Sequence, residues 1–203
     1  MGWGVVAVLV AVGVGMASAQ SSGLSDNVRT AGIDSRQRDQ AGSRIRRSRA
    51  VGLVRAPADH VTGVILDYAG YRQFMPHFVA SRVLSKRGSQ AVVYIEVSAL
   101  EGLTRLWAQM QIRMEPATPP TGESTRVISA RMIKGNLRGF EAEWQVTPIS
   151  SAQTLVAFEL CADPDFPIPF ANGLVSDYNE LEARKSVLAL RGYMAQRGLI
   201  SAR

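Results

Sequence analysis

From Ile45 to Ala162 the chain runs mostly as short stretches in which apolar and polar residues alternate, a strand period, before changing to a helical one near each end. The first strand-like stretch spans residues 45–55. In "APADHVTGVILDY", residues 56–68, Val61, Val64, Ile65 and Tyr68 fall at helical spacing, Pro57 suits a first turn and Asp59 complements its positive end. Gly70 punctuates this amphipathic helix, a short helical turn runs on through Gln73, and Pro76 ends it. Six strand-like runs follow, at 79–86, 91–100, 103–114, 125–134, 138–147 and 153–162, separated by Gly- and Pro-containing turns that suit antiparallel neighbours. After "DPDFPIP" the helical period returns over 170–197, with Leu174, Tyr178, Leu181, Val187, Leu188 and Met194 among its apolar positions. The pattern predicts an α+β domain: seven antiparallel strands, two short helices between the first two, and one long C-terminal helix.

Alternation also assigns faces. Val93, Ile95, Val97 and Ala99 share one side of their strand, and Leu106, Ala108, Met110, Ile112 and Met114 share one side of the next, opposite Arg105, Gln109, Gln111 and Arg113. Ile128, Ala130 and Met132 align with Trp144, Ala142 and Phe140 if "GNL" is a three-residue turn, which sets Lys134 and Arg138 at the end of the apolar face. The expected dry lining is rich in methionine and alanine: Met110, Met114, Met132, Ala99, Ala108, Ala130 and Ala142. Methionine adapts its shape and alanine leaves room, so this lining suits either a cavity under the long helix or a filled core.

The first residues, "MGWGVVAVLVAVGVGMASAQ", form an uncharged apolar run that ends in Ala17-Ser18-Ala19, the pattern of a secretory signal cleaved after residue 19. A retained N-terminal membrane anchor is the alternative reading. Residues 20–43 are polar, without hydrophobic period, and read as a flexible leader; the domain is expected over 44–198, with 199–203 as a tail. An exported chain, periplasmic or secreted, follows. The single cysteine, Cys161, excludes an intrachain disulfide and sits in an apolar run that marks it as a buried filler. The net charge of +6 gathers in "SRIRRSR", residues 43–49, either a solvated face or a site of transient contact with an anionic membrane. That run lacks interleaved aromatics, so no nucleic-acid partner is expected.

Three segments resemble the START-like superfamily of polyketide cyclases and lipid-binding proteins, and most closely its coenzyme Q-binding Coq10-like group. "YRQFMPHFVASRVLSK" is similar to the segment after that family's first helix, and "IKGNLRGFEAEWQV" to its turn and following strand through Gly135, Leu137, Phe140 and Trp144. "DPDFPIPFANGLVSDY" resembles the approach to the last helix in exported members. The resemblance covers residues 45–197 and implies a helix-grip fold, a curved sheet wrapped around the C-terminal helix. It also implies a cavity for a lipid, isoprenoid quinone or polycyclic molecule. The export signal and "DPDFPIP" depart from the Coq10-like pattern, so ubiquinone is a possible ligand and not an implied one.

The ligand-contacting residues expected on these grounds are Phe74, Met75, Phe78, Tyr94, Met110, Met132, Arg138, Phe140, Trp144 and Tyr178. "DYAGYRQFMPHF", residues 67–78, forms the expected rim, with Pro76 stiffening it. No Ser, Thr or Cys stands in a nucleophile context, no histidine or cysteine pair has metal-ligand spacing, and no glycine loop fits a phosphate, so neither metal nor cofactor is expected. His60 reads as a solvent-facing helix residue. His77, with Arg138, carries the alternative function, a cyclase or dehydratase that orients a bound chain and moves protons.

Overall fold

Eight antiparallel strands form one sheet in the computed structural model, which describes residues 32–41, 43–99, 102–117, 125–164 and 172–196. They are β1 (Ile33–Arg38), β2 (Arg47–Val54), β3 (Phe78–Arg87), β4 (Gln90–Ala99), β5 (Thr104–Ala117), β6 (Thr125–Gly135), β7 (Leu137–Ser150) and β8 (Gln153–Pro164). Helix α1 (Ala58–Leu66) and a 3-10 helix (Tyr68–Gln73) lie between β2 and β3, and α2 (Asn172–Gln196) follows β8. The sheet order is β1-β2-β8-β7-β6-β5-β4-β3, so β3 to β8 form a meander and β2 closes against its last strand. The signal-like segment 1–19, the start of the leader and the tail lie outside the described residues.

The eighth strand corrects the leader reading. Residues 33–38, "IDSRQR", pair with β2 from Ile33↔Gly52 to Arg38↔Arg47. Only Ile33 on its inward side is apolar, and it is buried; the other two inward residues, Ser35 and Gln37, meet the polar first half of α2. Ser35 Oγ donates to Glu180, and Gln37 Nε2 bonds the Ser176 carbonyl at 3.3 Å, Asp177 Oδ1 at 3.0 Å and Glu180 Oε2 at 2.8 Å. A strand whose inner face meets a polar helix face carries no hydrophobic alternation, and local sequence then gives no sign of it.

Helix α2 grips one side of the sheet, with its main contacts on β1, β2 and β8. Its buried stripe is Ser176, Asn179, Ala183, Val187, Leu190 and Met194, a 3-4 spacing that keeps one face on the sheet. The polar members are satisfied: Ser176 Oγ accepts from the Arg46 amide at 3.1 Å, and Asn179 Nδ2 donates to the Ala162 carbonyl at 3.0 Å. Gly52 permits the close approach, because a Cβ there would lie 2.9 Å from Val187 Cγ1. Leu174, expected on the apolar face, is instead 72% exposed.

Arginines of the basic run 43–49 are engaged within the fold. Arg47 bonds Glu141, Arg49 Nη1 lies 2.7 Å from Glu159, Arg44 meets Asp163 at 3.0 Å and Arg46 reaches Asp177 at 3.8 Å. The cations of this run therefore face carboxylates of the same chain. At the far side, α1 packs on β7 and β8 and the 3-10 helix on β3, where Ser81 Oγ donates to the Tyr68 carbonyl at 2.5 Å and Tyr71 OH to the Ile65 carbonyl at 2.7 Å.

Candidate functional site

The inner face of the central strands is left uncovered by this packing, since α2 lies over β1, β2 and β8 and the short helices sit toward the other end. Between them lies a cavity of about 150 Å³. Its floor comes from alternate residues of neighbouring strands: Ile95 and Ala99 of β4, Leu106, Ala108 and Met110 of β5, Ile128 and Ala130 of β6. The 128/144 register is the three-residue-turn alternative, with Ile128↔Trp144 and Ala130↔Ala142 as partners. Opposed alanines make room where larger side chains would meet, and Trp144 stacks near Phe158 at 4.2 Å between centroids to close the far wall.

The rim is the aromatic loop. Met75, Pro76, His77 and Phe78 all line the cavity, and Tyr71 touches both Phe74, at 5.6 Å between ring centroids, and Phe78, at 5.7 Å. His77 has φ of 62°, a left-handed conformation uncommon outside glycine, and its carbonyl accepts from the Ser98 amide at 2.9 Å. This bond ties the turn to β4.

One wall of the cavity is polar, and it belongs to α2. Tyr178, Asn179, Glu182 and Ser186 line it at helical spacing. Glu182 Oε1 lies 3.6 Å from His77 Nε2 across the mouth and 2.8 Å from Lys185 Nζ, with the carboxylate side chain only 13% exposed. Burial opposes its ionisation, but the facing imidazole and the ammonium of Lys185 outweigh this and hold the carboxyl below its ordinary range. Burial, then the charge of Glu182 and a hydrogen bond to it, push the Tyr178 phenol well above its usual range. Because Glu182 is depressed in the fold, its contribution to stability is present above the ordinary value of 4.5 and is lost as the pH falls through the lower folded value. The urea midpoint of the wild type should therefore drop more steeply below pH 4.5 than that of Glu182→Gln; equal slopes would show that Glu182 is not held ionised by the fold.

Of the residues expected at the ligand, Met75, Phe78, Met110, Phe140, Trp144 and Tyr178 line the cavity, as does His77. Four others do not. Phe74 stacks on Tyr193 at 4.8 Å and, with Tyr193 OH donating to Gln73 Oε1 at 3.0 Å, fastens the 3-10 helix to α2. Tyr94 lies on the opposite face of the sheet, stacked with Trp107, under Arg82 and hydrogen-bonded to Glu96 at 3.1 Å. Met132 packs against the core at the β6–β7 turn, where its Sδ lies against Gly135. Arg138 is exposed because the β7–β8 register shifts between Leu137 and Gly139: the bulge absorbs Arg138, and Leu137 takes the inward position. The expected apolar-face position of Arg138 is corrected accordingly.

Glu182, Asn179 and Ser186 had a sequence signal: they sit at i+3, i and i+7 relative to one another, on the stripe of Ala183, Val187 and Leu190. Among the described residues no group of three or more His, Cys, Asp and Glu is placed to hold a metal ion, and Cys161 is buried with its thiol pushed up chiefly by that burial.

Residues 54–191 match the family model for polyketide cyclase/dehydrase and lipid transport proteins. The chain belongs to this family. No curated protein matches it significantly. Among solved structures, the STAR-related lipid transfer protein of Xanthomonas axonopodis is similar at 23% identity, with a TM-score of 0.67, covering 81% of this chain and 94% of that one. Human StAR-related lipid transfer protein 5 has a TM-score of 0.67 at 11% identity, over 90% and 98% of the two chains. The Zhui aromatase/cyclase of Streptomyces has a TM-score of 0.58 at 15% identity, over 81% and 95%. At these identities the neighbours establish the START-like helix-grip fold, here with eight strands, and members with that fold include lipid carriers and a cyclase. The family match is consistent with the binding of a hydrophobic ligand.

Proposed function

We propose that the protein is an exported carrier that binds a hydrophobic molecule, a lipid, isoprenoid quinone or polycyclic compound, between α2 and the sheet. The observation that carries this reading is the cavity itself, walled by Tyr71, Phe78, Met110, Phe140, Trp144 and Phe158, with polar groups confined to the α2 side and the mouth. Burying apolar ligand surface against such walls contributes roughly 25 cal/mol per Å², enough for retention without any reaction. The secretory pattern of residues 1–19 supports a site of action outside the cytoplasm. Exchange with an anionic membrane belongs to the same reading. Leu103, 88% exposed beside the mouth strands, and the exposed Lys134 of the β6–β7 turn support it.

Native mass spectrometry of the purified full chain, followed by solvent extraction, tests the proposal. A stoichiometric apolar molecule is expected; a chain that comes out empty and takes up no lipid, quinone or polycyclic probe would refute it.

A second reading is favoured by one contact, His77 Nε2 to Glu182 Oε1 at 3.6 Å. A buried carboxylate that orients an imidazole at a cavity mouth is the arrangement of a proton-transferring pair, and such contacts shorten when substrate binds. On this reading the protein is a cyclase or dehydratase with His77 as the base. Turnover of a polyketide-like substrate that disappears in His77→Ala, with ligand binding kept, would select it over the carrier.

A further inference from the structure

The sheet ends at β3, and the outer half of that edge strand carries cations that the fold leaves unanswered. Residues 82–87, "RVLSKR", are all exposed, and the chain turns back into β4 through Gly88, with φ of 55°, and Ser89. The Met114 amide donates to the Ser89 carbonyl at 2.9 Å, which fastens the hairpin tip to β5. Arg87 pairs with Gln90 and Gln90 with Arg113, so Arg113 stands in the same row as Arg87. Lys86, Arg87 and Arg113 have no ion pair with any described residue, whereas Arg44, Arg46, Arg47 and Arg49 each face a carboxylate. Glu115, two residues beyond Arg113 on the same face of β5, is exposed and leaves the tip with a positive excess.

Apolar side chains stand among these cations. Val83 is 41% and Leu84 51% exposed, and the β3–β4 register shifts between Val83 and Ser85, so Leu84 is the extra residue of a bulge. An exposed leucine bracketed by cations fits two surfaces: an acidic protein strand added to the free edge, or the headgroup layer of an anionic bilayer. The bulge decides between them. It bends the edge where an added strand needs an unbroken row of backbone partners, and edge lysines and arginines discourage strand addition in any case. A headgroup layer has no register to match. It takes leucine at its apolar boundary and meets lysine and arginine with phosphates, and each cation near the surface adds to the attraction.

We propose that the β3–β4 hairpin docks this chain on the surface of an anionic lipid bilayer, with Leu84 at the headgroup boundary and Lys86, Arg87 and Arg113 on the phosphates. β3 runs from Phe78 at the cavity rim to Arg87 at the tip, and at about 3.3 Å per residue the contact lies about 30 Å from the mouth. It is therefore separate from any exchange at the mouth and does not rest on the carrier reading.

Flotation of the full chain with phosphatidylcholine vesicles, with and without phosphatidylglycerol, tests the proposal. At low salt the chain should bind the anionic vesicles at least about tenfold tighter, and the preference should shrink as salt rises. The double variant Lys86→Glu, Arg87→Glu should lose at least about tenfold in binding to the anionic vesicles, and Leu84→Ser about threefold. These positions are exposed, so the variants should keep the wild-type circular dichroism; should the double variant not fold, Arg113→Glu, on another strand, takes its place. Attachment through the apolar residues 1–19 would be the same in every variant, which separates it from the hairpin. Wild-type binding in the double variant, or a loss in Lys134→Glu with none in the double variant, would place the contact elsewhere and overturn the proposal. Equal binding to both vesicle types would overturn it as well, and binding of polyglutamate instead would assign the edge to an acidic protein. Vesicle binding is read without ligand, so its failure leaves the cavity reading standing, and an empty cavity leaves the docking surface standing.

Discussion

Ala142→Phe is expected to abolish ligand binding while the protein stays folded. Ala142 pairs with Ala130 across β6 and β7, and both side chains form the cavity floor. A cavity of about 150 Å³ holds about one ring of a ligand, so the phenyl group introduced at position 142 takes that ring's place. Overpacking normally costs about 1–3 kcal/mol because neighbours are forced out of their rotamers. Here the added ring enters open space, and the melting temperature should hold or rise. Affinity for a one-ring apolar probe such as toluene should fall by at least about 100-fold, the equivalent of losing roughly 3 kcal/mol of buried ring surface. Wild-type affinity in this variant would mean that the ligand sits elsewhere on the molecule.

Leu190→Ala should have the opposite signature, a large loss of stability through the grip of α2 on the sheet. Leu190 has no exposed surface and lies on one stripe with Val187 and Met194, over the strands that hold the helix. Truncation there leaves a cavity under the helix and costs about 3 kcal/mol, roughly 6–12 °C in Tm for a domain of this size. Leu174→Ala is the control: the same atoms are removed from a side chain 72% exposed, and Tm should move by no more than about 2 °C. A similar drop in both variants would show that helix propensity rather than packing holds α2 in place.

Leu174 and Leu190 also mark where sequence reading stops. Both fit an apolar helical period, and nothing local says that the first turns of α2 present Ser176 and Asn179 to the sheet, with hydrogen bonds to the Arg46 amide and the Ala162 carbonyl in place of apolar contact. The same holds for β1, whose inward Ser35 and Gln37 pair with that polar half of the helix. Two partners that satisfy each other with hydrogen bonds are invisible to a hydrophobicity pattern, because each looks like solvent-exposed chain. Tyr94 went the other way: alternation with Val93 and Ile95 puts it on the outer face, and only its polar hydroxyl suggests a group that orients a ligand.

By itself the sequence determined the order of elements and the dry face of the central strands, since a period of two fixes which side chains share a face. The opposition of Ile128 to Trp144 followed as one of two registers, and it is the one observed. The rim of Met75, Pro76, His77 and Phe78 was legible too, from the local density of aromatic residues after a helix. The tertiary structure alone decided the rest. A bulge of one residue turned Arg138 outward and Leu137 inward, a change of register that depends on how β7 meets β8. The cavity exists because α2 lies over β1, β2 and β8 and leaves the alanine-lined floor of the central strands uncovered. Glu182 reaches the site only because that helix faces the rim loop across the cavity, 105 residues from His77 in the chain and 3.6 Å from it in space.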